Sequence, residues 1–488
     1  MAFEDLREDR LTKLELLKKA GVDPYPAVSN RDTSVHDALS YFENLTSHTA
    51  IYTLAGRVMS TRFHGGVAFA DIFDGSTSAT IQIVLKKDEI GENNFNLFES
   101  TIDRGDFAEF AGLLFITNRG QNSLAAKNWR MLTKSIRPLP DSWSGLVDQE
   151  EKLRKRYLDI LMNPEVREMV LKRARFWNSM RSFLVSKDFI EVETPIFETT
   201  PGGADAEPFT THHNAMNMDV YLRISQGELW QKRLMVAGLP KTFEIGRQFR
   251  NEGMSAEHAQ EYTQMEFYWG YADYKKGMEL VKEMVRYIAM ETFGTLKFRM
   301  RDFDVDLGDE WQTYDYAALI KEKTGIDIDN AGLTEIESKL QELGVRYDKK
   351  GFNVTRAIDN LWKYCRKSIG GPGFLINVPV TMEPLAKRDE KDPSKVQRFQ
   401  FIIAGSEMGK GYSELNDPID QAERFGAQQE MRDTGDKEAQ FADMDFVEAL
   451  EYGMPPTCGF GISERFFSFM LGKSIHEGQI FPLMKPRN

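Results

Sequence analysis

The sequence predicts an α+β protein of two domains, in which a small antiparallel β-barrel precedes a larger mixed domain. The chain has 488 residues, which exceeds one compact core at roughly 150 residues per domain. Short β-prone runs fill residues 51–137, and from residue 165 onward helical patterns alternate with strand-like runs without a fixed repeat. We therefore expect one domain over 1–142 and another over 143–488, with a helical insertion at roughly 310–370.

An amphipathic helix is expected at the N-terminus. Its apolar residues recur at helical spacing, and they are Leu6, Leu11, Leu14 and Leu17. Two lysines fill the last turn, Gly21 provides a stop, and DPYP at 23–26 breaks the chain.

The barrel is predicted from β-prone runs separated by turn residues. These runs are YTLAGRVMS, VAFADIF, ATIQIVL and FAEFAGLLFIT, and DGST is a turn signal between the second and the third. RPLPDSW at 137–143 is typical of a linker, and EEKLRKRYLDILM then opens a region of helical period.

Composition excludes several classes of protein. Hydrophobic residues make up 41% of the chain and charged residues 28%, and no apolar run approaches the roughly 20 residues of a membrane span. The net charge of −13 argues against a general nucleic-acid binder. The first residues lack the pattern of a secretory signal, so we expect a cytoplasmic protein that does not engage a membrane. Cys365 and Cys458 form no CxxC pair, so a metal would have oxygen ligands.

The first segment with chemical potential is FEIGRQFRNEG at 243–253. It is followed by His258, Tyr262, Glu266 and Tyr268. Taken alone, its arginines would fit surface ion pairs on a hairpin.

The second segment is GSEMGKGYSELND at 405–417. It places Glu407 and Glu414 seven residues apart in strand-like sequence. Two such carboxylates suit divalent ions that bridge phosphates, and a salt-bridged hairpin is the alternative.

The third segment is GFGISER at 459–465. Two glycines permit close approach to the backbone, and Arg465 follows where a helix should start. No G-K-[ST] and no G-x-G-x-x-G spacing occurs here, which excludes a Walker loop and a dinucleotide fingerprint.

In chain order these segments resemble the three motifs of class II aminoacyl-tRNA synthetases, and over nearly the whole chain they are similar to the lysyl-tRNA synthetases of the bacterial kind. FIEVETPIF at 189–197 resembles the first motif, whose proline, here Pro195, lies at the dimer interface in that family. FRNEG through Glu266 resembles the second motif, and PPTCGFGISERFF the third. Stretches typical of the lysine enzymes are GGADAEPFTTHHN, YLRISQGELWQKRL and SELNDPIDQAERF. The resemblance implies a catalytic domain built on an antiparallel sheet with flanking helices.

The resemblance also implies an ATP site with Mg²⁺. Arg250 would hold the α-phosphate and the amino-acid carboxylate, and Arg465 would hold the γ-phosphate, which makes these two the catalytic residues. Tyr262 would stack on the adenine against Arg465. The implied ATP-binding set is Arg250, Glu252, His258, Tyr262, Glu407 and Arg465, with Glu407 and Glu414 as metal ligands.

Lysine selection would rest on acidic side chains, because two ammonium groups need carboxylate and hydroxyl partners. The implied amino-acid-binding positions are Gly202, Gly203, Glu228, Glu266, Tyr268 and Glu414. An aspartate enzyme would instead place Arg or Lys there. The alternative for Tyr268 is a purely structural role, in which its ring packs beside a strand and does not bind the amino acid.

The barrel resembles the anticodon-binding OB-fold of this family, which reads single-stranded bases by stacking. By position, Phe69 would stack on the central anticodon base, with Arg62 and Gln82 beside it. The alternative makes Phe69 a core residue. Strand alternation places it opposite Ala68 and Ala70, and we expect it to be exposed.

Four departures from the family pattern stand out. The third motif is one residue short, with Ser463 where a glycine and an apolar residue are expected. Lys410 replaces an asparagine that contacts the amino acid, and it would repel lysine unless it pairs with a glutamate. SQGEL carries one extra residue before Glu228, and Asp188 replaces the glycine of the first motif.

The predicted function is ATP-dependent activation of L-lysine and its transfer to tRNA(Lys) by a homodimer. One alternative is an aspartyl or asparaginyl enzyme of the same subgroup. Another is a non-catalytic, synthetase-like tRNA-binding protein, for which erosion is expected at four positions: Arg250, Glu407, Glu414 and Arg465. All four are intact.

Overall fold

A computed structural model describes residues 3–47, 49–140, 146–204, 206–347, 352–433 and 441–487. The chain divides into two compact units, Met1–Val166 and Arg167–Asn488. This division falls after the expected boundary at 142 and gives the helical segment that follows the linker to the first unit. Residues 141–143 of the predicted linker lie outside the described residues.

The described part of the first unit combines short helices with the strands of a barrel. Its helices are α1 (Phe3–Lys19), α2 (Val35–Ser40), α3 (Phe42–Ser47), α4 (Lys87–Ile90), α5 (Glu92–Thr101), α6 (Gln149–Arg154) and α7 (Arg156–Met162). Its strands are β1 (Tyr52–His64), β2 (Val67–Phe73), β3 (Ile81–Lys86), β4 (Phe107–Ile116) and β5 (Asn122–Thr133). The expected N-terminal helix is confirmed, and Leu14 and Leu17 are buried on its inner face.

The strands close into a barrel in the order β1-β2-β3-β5-β4. The predicted barrel is therefore confirmed, with one difference. β3 and β5 pair in parallel, whereas the other neighbours are antiparallel. The parallel pair follows from a long crossover, because α4, α5 and β4 separate the two strands in sequence. No β-prone run is identified in the sequence at β5, and helices α4 and α5 are not predicted from it.

The second unit is built on a large mixed sheet with helices against it. Its helices are α8 (Pro164–Ser186, which begins just before the division), α9 (Glu228–Val236), α10 (Tyr274–Phe293), α11 (Tyr316–Thr324), α12 (Leu333–Glu342), α13 (Val354–Cys365), α14 (Pro418–Asp433), α15 (Met444–Glu451), α16 (Arg465–Met470) and α17 (Ile475–Gly478), with 3₁₀ turns at Arg366–Ser368 and Val380–Met382. Its strands are β6 (Ile190–Glu191), β7 (Phe197–Glu198), β8 (Thr210–His213), β9 (Met218–Leu222), β10 (Lys241–Phe249), β11 (Glu261–Gly270), β12 (Lys297–Met300), β13 (Phe303–Asp306), β14 (Gln312–Asp315), β15 (Gly373–Ile376), β16 (Arg398–Ile403), β17 (Ser406–Ser413) and β18 (Thr457–Ser463).

The large sheet runs β14-β15-β16-β17-β18-β11-β10-β6 among the described residues. The expected antiparallel sheet is confirmed for its central strands, and only the two edge pairs, β6 with β10 and β14 with β15, are parallel. Helices α11, α12 and α13 fall within the expected insertion at 310–370, of which 348–351 lie outside the described residues.

One face of this sheet is an aromatic core. Phe399 and Phe460 stack with ring centroids 5.6 Å apart, and Phe267 lies 5.7 Å from Phe460. A Cβ at Gly277 of α10 would come within 3.1 Å of Phe399, so α10 covers this face closely. Because side chains alternate along a strand, the neighbours of these phenylalanines point to the opposite face. None of the described helices is both long and apolar enough to cross a membrane.

Candidate active site

The candidate site lies on the sheet face opposite the aromatic core. Cross-strand register sets Tyr268 and Tyr412 on either side of Gly459, and Glu266 and Lys410 on either side of Gly461. Neighbours in register across antiparallel strands share a face, so these polar side chains surround a strip of bare backbone.

The two glycines of GFGISER keep that strip clear. A Cβ at Gly461 would lie 3.0 Å from the Glu266 Cγ and 3.1 Å from the Gln264 Nε2. A Cβ at Gly459 would overlap the Glu414 carboxylate and lie 2.7 Å from the Tyr268 ring. The glycines therefore provide space for neighbouring side chains and a ligand, as the sequence indicated.

A cavity of about 350 Å³ opens above this strip. It brings together nearly all of the residues predicted for ATP and amino-acid binding: Gly203, Glu228, Arg250, Glu252, His258, Tyr262, Glu266, Tyr268, Glu407, Glu414 and Arg465. Gly202 is buried behind the wall, where its carbonyl accepts a hydrogen bond from the Ser225 hydroxyl at 2.9 Å.

Arg250 follows β10 at the mouth of the cavity. Its Nε donates to the Ile224 carbonyl at 3.2 Å, and its guanidinium lies 5.8 Å from the centre of the Tyr262 ring. Tyr262 is half-buried, and burial raises the pKa of its hydroxyl. A flat ring beside a fixed guanidinium suits a planar base next to an anion.

Arg465 begins α16, as the sequence predicted. Its Nη1 lies 3.6 Å from the Glu257 Oε2, and its buried Nε has no hydrogen-bond partner in the described part of the chain. Burial lowers the pKa of Arg465, against the opposing effect of Glu257 and Glu407. A half-buried guanidinium with an unused Nε donor is a ready partner for an anion.

His258 and Glu252 lie in the loop between β10 and β11. The His258 Nδ1 is 2.7 Å from the Ser255 hydroxyl. Burial and the charge of Arg465 lower the pKa of His258, so its imidazole is neutral at pH 7. Glu252 is exposed on the rim.

The other end of the cavity carries three carboxylates in the described residues, and Glu266 is the most fully hydrogen-bonded of them. Its Oε1 accepts from the Gln226 backbone N–H at 2.9 Å and from the Gln264 amide at 2.6 Å, and its Oε2 accepts from the Tyr268 hydroxyl at 3.0 Å. Tyr268 thus both packs in the core and orients a carboxylate, so the two roles weighed for it coexist. Burial, together with the charge of Glu228, raises the pKa of Glu266.

Glu228 and Glu414 flank a buried ammonium at this end. The Lys232 Nζ lies 3.0 Å from the Glu228 Oε1 and 2.5 Å from the Glu414 Oε2. The Tyr412 hydroxyl also donates to Glu228. Burial raises the pKa of Glu414, against the opposing effect of Lys232.

Glu407 and Glu414, which the sequence predicts as metal ligands, both line the cavity. They sit at opposite ends of β17, and seven residues of strand span roughly 20 Å. A bulge at Met408 puts both on the same face, but Glu407 accepts from the Trp362 indole while Glu414 is paired with Lys232. In the described residues no group of three or more His, Cys, Asp or Glu side chains is arranged so that it could hold a metal ion. Glu414 lies beside Lys232 and Glu228 at the acidic end of the cavity.

Lys410 pairs with Glu383. The sequence indicates that such a partner is needed if Lys410 is not to repel a bound lysine. The Lys410 Nζ lies 3.2 Å from the Glu383 Oε2, and the Arg398 Nη1 lies 2.9 Å from the Oε1 of the same residue. Glu383 is buried, so it holds both cations at the cavity wall and weakens the repulsion that Lys410 would exert on an ammonium.

The structure shows the local backbone conformation at the other departures from the family pattern. Asp188 has a φ of +65°, a left-handed conformation that explains why a glycine is usual there. Within the longer SQGEL stretch, Gly227 precedes α9 with a φ of +66°, a left-handed conformation that favours glycine. Ser463 ends β18, and its hydroxyl accepts from the Arg465 N–H at 3.3 Å.

The barrel presents its own group of predicted residues. Arg62 is the cross-strand partner of Phe69, and its guanidinium lies 5.8 Å from the centre of that ring. Phe69 is half-buried and points away from the core that holds Ala68 and Ala70, so the alternation argument is confirmed. Gln82 faces the same side but is buried, and its side-chain oxygen accepts from the Ser123 hydroxyl at 3.2 Å.

Sequence reasoning missed several residues around the cavity: Lys232, Glu257, Glu383, Arg398 and Tyr412. Lys232 had a usable signal, because it follows Glu228 by one helical turn. The others are brought in by strand register and loop folding, which no local pattern reports.

Comparison with known proteins agrees with this geometry. Residues 148–485 match the family "tRNA synthetases class II (D, K and N)", and residues 52–132 match "OB-fold nucleic acid binding domain". The fold and site define a class II aminoacyl-tRNA synthetase of the subgroup that includes the aspartate, lysine and asparagine enzymes.

Similar full-length proteins narrow the class. The chain is 41% identical over 495 residues to a lysine–tRNA ligase of Roseiflexus sp. (strain RS-1), with all of both chains covered. It is 39% identical to that of Thermotoga maritima, covering 99% of this chain and 97% of the other, and 40% identical to that of Carboxydothermus hydrogenoformans, covering 100% and 99%. The chain belongs to the lysine–tRNA ligase family, which confirms the resemblance found in the sequence.

Proposed function

We propose that this enzyme activates L-lysine with ATP to lysyl-adenylate and transfers the lysyl group to tRNA(Lys). The observation that carries the proposal is the polarity of one cavity. Arginines Arg250 and Arg465 lie at one part of it, and the carboxylates Glu228, Glu266 and Glu414 lie at another. A substrate pair with a polyphosphate and a diammonium ion matches that polarity.

In the first step a lysine carboxylate oxygen attacks the α-phosphorus of ATP, and pyrophosphate leaves. Arg250 is assigned to the α-phosphate and the attacking carboxylate, whose charges otherwise repel each other. Arg465 is assigned to the γ-phosphate. In the second step a terminal ribose hydroxyl of tRNA attacks the lysyl carbonyl, and AMP leaves. Neither step requires a protein nucleophile, so orientation and charge neutralisation provide the acceleration.

Base recognition is assigned to Tyr262, Glu252 and His258. Tyr262 would stack on adenine, because its ring is half-buried at the cavity wall. A neutral His258 can hydrogen-bond to the phosphate tail or adenine edge without adding a charge.

Glu407 fits a role in holding Mg²⁺ at the polyphosphate. Magnesium commonly takes one or two protein carboxylates and completes its shell with phosphates and water, so a single glutamate is sufficient. Bound there, Mg²⁺ would neutralise phosphate charge. Glu407 is half-buried on the cavity wall and near enough to Arg465 to affect its pKa, which agrees with this assignment.

Lysine would be selected by Glu228, Glu266 and Glu414. Aspartate and asparagine carry the α-ammonium group but no side-chain ammonium, so they would leave a carboxylate at the side-chain position without its substrate partner, at a cost of several kcal/mol for a buried charge. The α-amino group is assigned to Glu228 and the backbone of Gly202 and Gly203.

The barrel is proposed to bind the anticodon through Phe69, Arg62 and Gln82. Phe69 provides a half-exposed ring, and Arg62 provides a cation beside it. Stacking on aromatic rings with a nearby cation is how OB-folds commonly bind single-stranded bases.

We also propose a cytoplasmic homodimer. The segment that resembles the first motif presents exposed apolar side chains at Ile190, Pro195, Ile196 and Phe197, beside the short edge strand β6. Contiguous exposed apolar residues at a sheet edge favour association. Light scattering at micromolar concentration would give the dimer mass, and a monomer would contradict the proposal.

The activity is tested by amino-acid-dependent exchange of pyrophosphate into ATP. Exchange should require lysine and Mg²⁺, and aspartate and asparagine should not support it. Arg250→Ala should abolish exchange without lowering the melting temperature. Exchange with another amino acid alone would refute lysine as the substrate, and no exchange with any amino acid would favour a non-catalytic tRNA-binding protein.

A further inference from the structure

A protein lysine is buried behind the acidic end of the cavity. Lys232 lies one turn after Glu228 on α9, and its side chain is only 1% exposed. Its Nζ contacts Glu228 and Glu414, and it lies 5.5 Å from the centre of the Tyr412 ring and 5.8 Å from that of Phe446. An ammonium between two carboxylates and two rings is held in one position.

Lys232 contacts only one of the two oxygens of each carboxylate. The Oε1 of Glu228 is used by Lys232 and Tyr412, while its Oε2 faces Gly203, where a Cβ would lie 3.0 Å away. The Oε2 of Glu414 contacts Lys232, while its Oε1 faces Gly459. Gly203 and Gly459 both line the cavity, so one oxygen of each carboxylate is turned toward ligand space.

The charges at this end can be balanced against the substrate. Glu228, Glu266 and Glu414 contribute three negative charges when ionised, and Lys232 contributes one positive charge. Among these four groups the remainder is two negative charges, and Arg398 and Lys410, which share Glu383, add one positive charge at the cavity wall. Lysine carries two ammonium groups, and its carboxylate is assigned to Arg250 at the other end.

We propose that Lys232 is a specificity-determining residue. Its ammonium cancels one of the three carboxylate charges that face the two ammonium groups of lysine, and it fixes the orientation of Glu228 and Glu414. This inference rests on the proposed lysine activation. Lys232 acts through the two glutamates and is a positioning residue.

Removal of this ammonium would leave three buried carboxylates around a dication. One carboxylate would then stay protonated, because a buried charge without a partner is costly. Glu414 is the candidate, since Lys232 opposes the rise in its pKa that burial causes. A protonated Glu414 would bind an ammonium poorly.

The test uses Lys232→Met in the full-length enzyme, measured by pyrophosphate exchange. KM for lysine should rise roughly 30-fold or more, as for other buried charge pairs that lose one partner, while KM for ATP stays near the wild-type value. The pH at which lysine binds best should also shift upward. Lys232→Arg should restore part of the affinity because it keeps the charge. The matched control is Lys241→Met, since the Lys241 ammonium donates to the Lys187 carbonyl at 2.8 Å and lies 3.8 Å from the Asp188 carboxylate, not beside the three glutamates.

A purely structural role for Lys232 would raise both KM values together and leave the pH profile unchanged, and that result would overturn the inference. An unchanged KM for lysine would overturn it as well. If Lys232→Met does not fold, the double variant Lys232→Met/Glu414→Gln decides by its melting temperature. A melting temperature that recovers toward the wild-type value supports the role of Lys232 in compensating a carboxylate charge, and no recovery contradicts that role. Failure of the proposed function is separate, because the wild-type enzyme would then show no exchange with lysine.

Discussion

The Arg465 Nη1 lies 3.6 Å from the Glu257 Oε2 inside the cavity. Glu257 also pairs with Arg301 and accepts from the Ser406 hydroxyl at 3.3 Å. Burial would raise the pKa of Glu257, but the charges of Arg465 and Arg301 outweigh it and hold the pKa below its ordinary value. Glu257 is therefore ionised at neutral pH, and it lies beside Arg465, the arginine assigned to the γ-phosphate.

The first prediction concerns this carboxylate. Glu257→Gln should lower KM for ATP about fivefold or more, because a unit charge about 4 Å away is worth on the order of 1 kcal/mol even in water. Initial rates of lysine-dependent pyrophosphate exchange at varied ATP would give KM. Glu261→Gln is the matched control, since Glu261 pairs with Arg247 on the exposed side of the hairpin. A higher KM in Glu257→Gln would mean that the carboxylate assists ATP binding.

The second prediction concerns the pH dependence of lysine binding. Glu266 and Glu414 have raised pKa values because they are buried, and a neighbouring Glu228 adds to the effect. Their protonated fraction falls as pH rises through the neutral range, and the ionised forms bind ammonium groups. KM for lysine should therefore fall between pH 6 and pH 8.5.

KM for ATP, measured on the same samples, is the internal control, and it should change less than KM for lysine. A KM for lysine that is constant across this range would show that both carboxylates are already ionised at pH 6.

The limits of sequence reasoning are visible in β17. Alternation and glycine content were enough to predict that Gly459 and Gly461 open the sheet face and that Phe69 leaves the barrel core. What the sequence could not give was the register of β17 against β18 and the position of α9, because long-range packing sets both. The Lys232 contact depends on both.

The third prediction concerns Glu198, whose Oε1 accepts from the Trp230 indole at 3.2 Å. Its Oε2 is buried without a hydrogen-bond partner in the described residues, and burial raises the pKa of Glu198 to about 8. The pKa of Glu198 is near 4.5 in the unfolded chain and about 8 in the folded protein. Between these two pH values the folded protein keeps a proton on Glu198 that the unfolded chain loses, so the free energy of unfolding falls as pH rises. Glu198→Gln removes that dependence.

The melting temperature of Glu198→Gln should therefore exceed that of the wild type at pH 8, with a smaller difference at pH 5. Glu279→Gln, at an exposed position, should show no such trend. A difference that is equal at both pH values would contradict a raised pKa for Glu198.

The fourth prediction concerns the end of α8. Asp188 adopts a φ of +65°, and its backbone N–H donates to the Val185 carbonyl at 3.0 Å. The left-handed conformation costs a non-glycine residue about 1 kcal/mol. Asp188→Gly should raise the melting temperature, although part of the gain is offset by greater freedom of the unfolded chain. Asp188→Ala should lower it, and a glycine variant less stable than the wild type would show that the 3.8 Å contact with Lys241 matters more than the backbone.

The fifth prediction separates the barrel from the catalytic domain. Phe69→Ala should raise KM for tRNA(Lys) in aminoacylation roughly 5- to 150-fold, since stacking on one base is worth about 1–3 kcal/mol. Lysine-dependent pyrophosphate exchange without tRNA should stay at the wild-type rate, because the Phe69 ring points away from the barrel core and its loss leaves Ala68 and Ala70 packed. Ile116→Ala is the control, as Ile116 is exposed at the end of β4 in the same barrel. If Phe69→Ala impairs exchange and charging equally, the ring supports folding and does not read the anticodon.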